Sequence, residues 1–468
     1  MYNKAGKVKR LIAAAVIFAL LLSVVSCGKK KEGRDINELN SHEHEVVALP
    51  TEEPEPLPVV DAAGFYTCDD NVYVNAEKIT FKSEPQSASA DAGEGVFGQQ
   101  LYRNGYNDEG WYRVYVSGKE VYVRKEDVTE IAINSDSKFT YSLASLDIVD
   151  SSRQFYSYES MTEDLSQIRK KFPDICRLSV CGLSEDGRNV FDFVLGSPEA
   201  KHSILVLGGM EGCEYMTSLF AAKLCEYYAH YAAEGVYGGY PYAELLKKYN
   251  IHIIPMLNPD GVSISQYNVE KVKSETVKTN LQKWFERDQV AGGTNLSIES
   301  YLTFYYANSR GTEITMNFPH GWEDMESSEE PGSKGYKGLT SASENETRDV
   351  IKLIEKINPD LVINLRTSGN SVAYDFGGDE EATLVAKNIA DMLSEKFSFE
   401  NDSKKYAAEM YGSVESYVEC DKKIPALRIN IGNGTAPLSL NEYNSIWNTG
   451  RETLAAILVS LISAAYKK

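Results

Sequence analysis

The chain has 468 residues, of which 43% are apolar, and its formal net charge is −20. That length is enough for two or three domains with a sizeable buried core. The charge argues against nucleic acid as a partner, because nothing here offers a basic face for phosphate groups. The acidic surface is expected to keep the protein soluble.

Residues 1–26 are predicted to be a targeting segment, separate from the fold. A basic stretch precedes the apolar run 11–25, which is short for a membrane span of roughly 20 residues. Residues 24–27, Val-Val-Ser-Cys, resemble the lipobox of bacterial lipoproteins. That resemblance implies cleavage before Cys27, a diacylglycerol-type (palmitate-bearing) anchor on it, and attachment to a membrane. An uncleaved anchor helix is the alternative, and both place the remaining chain outside the cytoplasm.

Residues 27–61 are predicted to be an acidic, proline-rich tether. Their charged composition cannot bury a core, so the segment behaves as a semi-extended spacer. Such a spacer would hold the folded part away from the membrane surface.

Six cysteines remain besides Cys27. They could form disulfides in an oxidising compartment, in pairings that the sequence leaves open. Neither a CxxC pair nor a close Cys/His cluster occurs, so a structural zinc site is not expected. Buried free thiols are the preferred prediction for most of them.

Residues 62–131 are predicted to form a small β-barrel, because short β-rich runs alternate with Gly, Asn and Asp turns. Residues 79–85, 110–114 and 118–123 resemble a bacterial Src-homology-3-like domain. That resemblance implies an aromatic groove for cell-wall peptide. Trp111 and Tyr112 could contribute to such a groove or could pack the barrel interior, and both interpretations stay open.

Residues 140–468 alternate apolar strand patterns with helical ones, which indicates an α/β fold whose sheet carries helices on both faces. Strands are predicted at 204–207, 251–256 and 361–365. Helices are predicted at these positions: 161–168, 215–232, 381–397 and 440–466.

Three segments of this region resemble the zinc carboxypeptidases. They are residues 156–165, residues 208–218 with a Gly-Gly-Met-Glu-Gly-Cys-Glu motif, and residues 255–262 with Asn-Pro-Asp-Gly. Their order and spacing match the family over roughly 300 residues. The resemblance implies a zinc-carboxypeptidase-like mixed sheet, and in active members a zinc ion that activates water.

The zinc site that the resemblance implies is altered in this sequence. Catalytic zinc uses three protein ligands and an open position, which the family supplies as His-x-x-Glu and a later His. Glu211 stands at the first histidine position, and Glu214 keeps the ligand glutamate. Arg366 stands at the second histidine position, and arginine has no lone pair to offer a metal.

The other functional positions of the family have changed as well. Asn430 stands where the family has its general-base glutamate. Thr315 and Met316 stand where the family clamps the substrate carboxylate with Asn-Arg. Arg310 fits a further family position, without an assigned role. None of the histidines matches a ligand position: His42, His44, His202, His230, His252 and His320.

These substitutions suggest a specific arrangement in place of a metal. If the fold is kept, Arg366 faces Glu211 and Glu214, and its guanidinium replaces the cation through charge-assisted hydrogen bonds. No cofactor is therefore predicted, and zinc enters only under the alternative below.

The preferred interpretation is a surface lipoprotein and pseudoenzyme that binds cell-wall peptide or a partner protein without cutting it. The alternative is an active zinc metallocarboxypeptidase that uses Glu211 and Glu214 as carboxylate ligands. A third hypothesis is a purely structural surface protein with no ligand.

Overall fold

A computed structural model of the chain describes residues 59–133, 141–292, 295–402 and 411–465. The predicted signal peptide, Cys27 and most of the tether lie outside these residues, together with His42 and His44. Within the described ranges, no helix combines the length and apolarity that crossing a bilayer requires. The six described cysteines are all free thiols.

The N-terminal part of the described chain is an antiparallel sheet in the strand order β3-β2-β6-β5-β4-β1-β7. Its strands are β1 (Tyr66–Val74), β2 (Lys78–Lys82), β3 (Asp91–Val96), β4 (Gln100–Tyr106), β5 (Trp111–Val116), β6 (Lys119–Arg124) and β7 (Val128–Thr129). The alternation of buried and exposed residues along these strands buries a compact apolar interior, which includes Val72, Phe81 and Val114. These strands fall within the segment predicted as a β-barrel.

Trp111 and Tyr112 pack within this part of the chain. They are 4% and 5% exposed, and each ring lies under a guanidinium. Arg124 stands 4.9 Å from the ring centre of Trp111, and Arg103 stands 4.4 Å from that of Tyr112. The structure therefore favours the packing interpretation for both aromatic residues.

The larger sheet has the order β16-β15-β17-β14-β10-β13-β9-β8. Its four central strands, β17, β14, β10 and β13, are parallel, while β8, β9 and β15 run antiparallel to their inner neighbours. The strands are β8 (Cys176–Leu183), β9 (Asn189–Leu195), β10 (His202–Leu207), β13 (Tyr249–Ile254), β14 (Leu361–Thr367), β15 (Ser371–Ala373), β16 (Glu400–Asn401) and β17 (Ala426–Ile431). A separate two-stranded ribbon is formed by β11 (Val236–Tyr237) and β12 (Tyr240–Pro241).

Helices cover the larger sheet and supply the loops around it. They are α1 (Tyr158–Lys171), α2 (Tyr215–His230), α3 (Tyr242–Lys248), α4 (Pro259–Tyr267), α5 (Glu275–Val290), α6 (Ile298–Thr303), α7 (Asn345–Ile357), α8 (Glu380–Phe397), α9 (Val414–Ser416), α10 (Tyr443–Gly450) and α11 (Thr453–Ala465). Two apolar clusters pack against the sheet, one including Ile204 and Ile251 and the other including Leu205 and Val362. The mixed α/β class predicted from the sequence is confirmed.

One predicted helix is wrong in its extent. The sequence predicted a single helix at 440–466, but the chain forms α10 and α11 with a turn between them. Gly450 ends α10 where the backbone passes close to Phe220, and a Cβ there would stand 2.5 Å from that ring. Thr453 then donates its hydroxyl to the Gly450 carbonyl at 2.7 Å, which fixes the turn.

Residues 146–149, which lie between the two sheets in the sequence, are held by a buried ion pair on α2. The ammonium of Lys223 donates to the carbonyls of Leu146 and Val149 at 2.8 and 2.7 Å, and also to Glu226. The Glu226 carboxylate in turn accepts from the backbone N–H groups of Ile148 and Val149 at 2.8 and 3.0 Å. Ile131, at the end of the N-terminal sheet, joins the apolar core of the larger sheet.

Candidate functional site

The candidate site lies at the carboxyl ends of the central parallel strands. Strand β10 is followed by a turn that carries Glu211 and Glu214, and the neighbouring strand β14 carries Arg366 near its end. Because β10 and β14 run parallel in register, both strands bring these side chains to the same edge of the sheet. This edge is where ligands bind in many open α/β sheets.

The turn after β10 is fixed by close backbone packing at Gly212. A Cβ at this position would stand 2.5 Å from the carbonyl oxygens of Gly261 and Tyr305, so no other residue fits without a backbone shift. Asn258 reinforces the contact, because its amide donates to the Met210 carbonyl at 3.2 Å. Its side-chain oxygen accepts from the Gly261 N–H at 2.8 Å and caps α4. The Asn-Pro-Asp-Gly loop therefore positions the turn.

Arg366 forms ion pairs with both glutamates of the turn. Its Nη2 lies 2.5 Å from Glu211 Oε1, and its Nε lies 2.6 Å from Glu214 Oε2. The Arg366 side chain is 14% exposed, and both carboxylates are buried. Glu214 also accepts the Thr367 hydroxyl at 3.0 Å. These contacts are short, as expected for charge-assisted hydrogen bonds.

Burial and charge act in opposite directions on these groups. Burial raises the pKa of Glu211 to about 7, although the Arg366 guanidinium lowers it. Burial raises the pKa of Glu214 as well, against the same guanidinium. For Arg366, burial would lower the pKa, but the two carboxylates outweigh it and hold the pKa well above its ordinary value. The arginine therefore stays cationic in this site.

The two clamp positions lie beside the ion pairs. The Thr315 hydroxyl donates to Glu211 Oε1 at 2.7 Å. Thr315 and Met316 belong to a single 3₁₀ turn, Ile314–Met316, whose preceding residue Glu313 accepts from Thr315 at 3.2 Å. Neither residue offers a positive charge to a carboxylate.

Asn430 lies opposite Arg366 on the neighbouring strand β17. It is buried, and its amide donates to the Ser371 hydroxyl at 2.9 Å. Arg310 lies apart from the ion pairs just described, 3.5 Å from Glu185 and 3.7 Å from Glu344.

A second buried ion pair in this region was missed by sequence reasoning. Arg428 Nε donates to Glu415 Oε1 at 2.6 Å, and the Asn364 amide donates to the same oxygen at 2.9 Å. Burial would raise the pKa of Glu415, but Arg428 outweighs it and the pKa is lowered. Asn364 and Arg428 pair in register, two residues before Arg366 and Asn430 on the same strands. The period of two along β17 could have predicted that Arg428 shares a face with Asn430.

A groove of about 820 Å³ begins beside the ion pairs. Tyr306 lies between the groove and the ion pairs. It lines the groove, and its pKa is raised by burial and by the neighbouring Cys213 and Glu211. The groove is lined by both apolar and charged residues. Its lining includes Ala291, Leu296, Tyr301, Phe304, Met316, Arg287, Asp288, Glu313 and Lys334. Phe304 is 47% exposed, so its ring is available to a ligand.

Three other carboxylates, Glu185, Glu344 and Glu346, have oxygens within 4.8 Å of one another. The Asn308 amide donates to Glu344 at 2.9 Å, and the Arg310 guanidinium lies alongside. Burial raises the pKa of Glu346 well above its ordinary value. The Asn308 amide and the Arg310 guanidinium thus offset part of the negative charge of this cluster.

The donor set around Arg366 does not fit a catalytic zinc ion. The matching positions offer two carboxylates and a guanidinium, whereas such a site needs three ligands and an open position. Every described histidine is engaged elsewhere. His202 contacts Asp360, His252 contacts Asp192, His320 contacts Asp421 and His230 packs on Tyr231.

The family model for zinc carboxypeptidases matches residues 161–437, which is more than half of the chain. The chain belongs to the zinc carboxypeptidase family. It is 21% identical over 302 residues to the Bacillus subtilis protein YqgT, a match that covers 63% of this chain and 75% of that protein. It is 22% identical over 321 residues to gamma-D-glutamyl-L-diamino acid endopeptidase 1 of Lysinibacillus sphaericus, covering 66% and 73%.

The fold is also that of solved carboxypeptidases. The crystal structure of carboxypeptidase A from Helicoverpa armigera superposes with a TM-score of 0.50 at 15% identity. The match covers 70% of this chain and 80% of that one.

Proposed function

We propose that this protein is an exported, lipid-anchored pseudoenzyme whose carboxypeptidase-like domain binds peptides without hydrolysing them. The observation that carries the proposal is the position of Arg366 between Glu211 and Glu214. A guanidinium there pairs with one oxygen of each carboxylate and cannot ligate a metal. Without a metal, water at this site has no Lewis acid to lower its pKa.

The other substitutions support the same proposal. Asn430 stands at the general-base position, and an amide cannot accept a proton from water as a carboxylate does. Thr315 and Met316 bring no cation to a substrate carboxylate. The chain thus lacks three separate parts of the hydrolytic machinery, while the backbone around them is retained.

The groove beside Tyr306 is the proposed peptide site. Its size lies within the range of ligand pockets in proteins, and it combines exposed aromatic surface with charged groups. The relative from Lysinibacillus sphaericus is named for acting on gamma-D-glutamyl-L-diamino acid bonds. A cell-wall peptide with a γ-D-glutamyl link is therefore the first ligand to test, and a partner protein is the second.

Localisation follows from the N-terminal segment. Cleavage before Cys27 and lipid attachment there would anchor the protein to a membrane, with the tether holding the folded part outside the cytoplasm. The proposed Src-homology-3-like barrel contacts the larger sheet at the start of β13, where Lys248 lies 3.4 Å from Glu130. The parallel strands begin at this edge and run toward the Arg366 site, and the groove is lined by residues 287–335 without a residue of the N-terminal sheet.

A binding and hydrolysis experiment tests the proposal. The purified chain is incubated with zinc and then with a fluorescent γ-D-glutamyl-L-diamino acid peptide, and both anisotropy and product release are measured. Peptide binding without product release supports the proposal. The Tyr306→Ala variant should bind the peptide more weakly than the parent chain. Zinc-dependent product release would contradict the proposal, and absence of binding would favour a structural surface protein.

The alternative is a zinc metallocarboxypeptidase with an atypical carboxylate site. One observation favours it: among the described residues, the buried Glu211 Oε2 has no hydrogen-bond partner. For zinc to bind there, Arg366 would have to leave both carboxylates. Zinc-dependent release of C-terminal or γ-linked amino acids would establish this alternative.

A further inference from the structure

One exposed face of the N-terminal sheet combines tyrosine rings with carboxylates. Tyr102 of β4 and Tyr115 of β5 are 43% and 38% exposed, and their ring centres are 6.0 Å apart. The Tyr115 and Tyr122 hydroxyls both donate to Glu120, at 3.4 and 2.9 Å. Tyr102 interacts with Asp69, which is exposed beside it. We call this set of six residues, completed by Asp61, the tyrosine face.

The tyrosine face carries excess negative charge. Its carboxylates are Asp61, Asp69 and Glu120, and among the described residues one guanidinium, that of Arg113, pairs with them. Arg113 lies 2.6 Å from Asp61 and 3.9 Å from Glu120. Three negative charges against one positive charge leave an excess of two.

The geometry of this face suits a cationic ligand better than a bare acidic patch would. Hydrogen bonds to Glu120 hold the phenol rings of Tyr115 and Tyr122 in place, so these side chains lose little conformational freedom when a ligand binds. Tyrosine rings attract ammonium and guanidinium groups over their faces. The overall charge of −20 adds long-range attraction for a basic partner.

We propose that the tyrosine face binds an extended peptide segment of a partner protein that carries lysine or arginine at alternate positions. In an extended strand, residues two apart lie roughly 6.5–7 Å from each other on one side. That spacing is close to the 6.0 Å between the Tyr102 and Tyr115 rings. The two cations would rest on the two rings, near Asp69 and Glu120. The site lies outside the groove and does not depend on peptide binding there.

The probe is an acetylated, amidated heptapeptide with lysine at alternate positions, and glutamine replaces lysine in the control peptide. Binding to the full chain is measured by fluorescence anisotropy at low and at raised salt. The lysine peptide should bind, and the affinity should fall as salt increases because exposed charges are screened. Equal binding of the glutamine peptide, or no binding of either, would overturn the proposal.

Variants distinguish binding at the tyrosine face from general attraction of the peptide to an acidic protein. Tyr102→Ser combined with Tyr115→Ser should weaken binding about tenfold, which corresponds to about 1.4 kcal/mol. The single substitution Glu120→Lys should weaken binding of the lysine peptide more than the double variant does. Glu94→Lys is the matched control, because Glu94 lies on edge strand β3 and pairs with Lys78. Near-ultraviolet circular dichroism checks that each variant is folded. An equal loss in Glu94→Lys and Glu120→Lys would overturn the proposal.

Discussion

The guanidinium of Arg366 lies between the carboxylates of Glu211 and Glu214, 2.5 Å from the first and 2.6 Å from the second. In the sequence, Arg366 follows the two glutamates by 152 residues or more. The three side chains meet because β10 and β14 are parallel neighbours in the sheet. A cation thus stands between the two carboxylates, at positions that the sequence predicts to be those of the family's zinc ligands.

Removing that cation should destabilise the fold. Arg366→Met leaves two buried carboxylates without their partner, and breaking a buried pair in this way costs about 3–5 kcal/mol. Urea unfolding at pH 8 measures the loss. The triple variant with Glu211→Gln and Glu214→Gln should recover most of it, because no charge is left unpaired. A loss below about 1 kcal/mol for Arg366→Met would contradict the buried-pair interpretation.

Two substitutions should restore a zinc site. Glu211→His together with Arg366→His gives two imidazoles and the retained Glu214, a His₂Glu set that suits catalytic zinc. Zinc content after dialysis should rise to one ion per chain. Adding Glu214→Ala to this double variant should lower its affinity for zinc markedly. If the double variant is folded and binds no zinc, the positions assigned to the former ligands are wrong.

The groove predicts a selective effect at Phe304. Phe304→Ser removes an exposed ring from the groove and should weaken binding of the γ-D-glutamyl peptide about fivefold to tenfold, since partial burial of an aromatic ring contributes roughly 1 kcal/mol or more. Leu339→Ser is the control, because Leu339 is 77% exposed and does not line the groove. Equal affinities of both variants and the parent chain would exclude the groove as the binding site.

Glu419 predicts how stability depends on pH. Burial raises the pKa of Glu419 to about 7, although it accepts the backbone N–H of Phe376 at 2.7 Å and the Thr383 hydroxyl at 3.1 Å. The folded state therefore prefers the neutral carboxyl. Its stabilising contribution is full below about pH 4.5 and is lost as the pH rises through about 7.

Glu419→Gln keeps a neutral group in the same position and isolates this effect. The melting temperature of the parent chain should fall from pH 5 to pH 8 by roughly 3–6 °C more than that of the variant. Scanning calorimetry at the two pH values measures the difference. An identical pH dependence in both proteins would show that Glu419 does not titrate in this range.

The sequence predicted the parts of the site that belong to local motifs. Glu211 and Glu214 lie three residues apart in one turn, and Arg366 ends a recognisable strand, so the family pattern could locate all three. The Arg428–Glu415 pair was not predicted, because Glu415 lies on α9 and no local pattern shows which strand that helix faces.

The fold resemblance predicted a peptide groove, but the residues that line it were not predicted from the sequence. Helices α5 and α6 contribute Arg287, Asp288 and Tyr301 to its lining, and their loops meet the 313–335 region only in the folded chain. The error at 440–466 has a similar origin. The helical pattern continues across Gly450, but the close approach of Phe220 decides where the first helix ends.

The zinc content of the purified chain tests the central claim most directly. The protein is incubated with excess zinc, dialysed and measured by mass spectrometry, with the Glu211→His/Arg366→His variant as the positive control. The parent chain is expected to retain no stoichiometric zinc, whereas the variant should retain one ion. One tightly held zinc ion per parent chain would contradict the claim that Arg366 has replaced the metal.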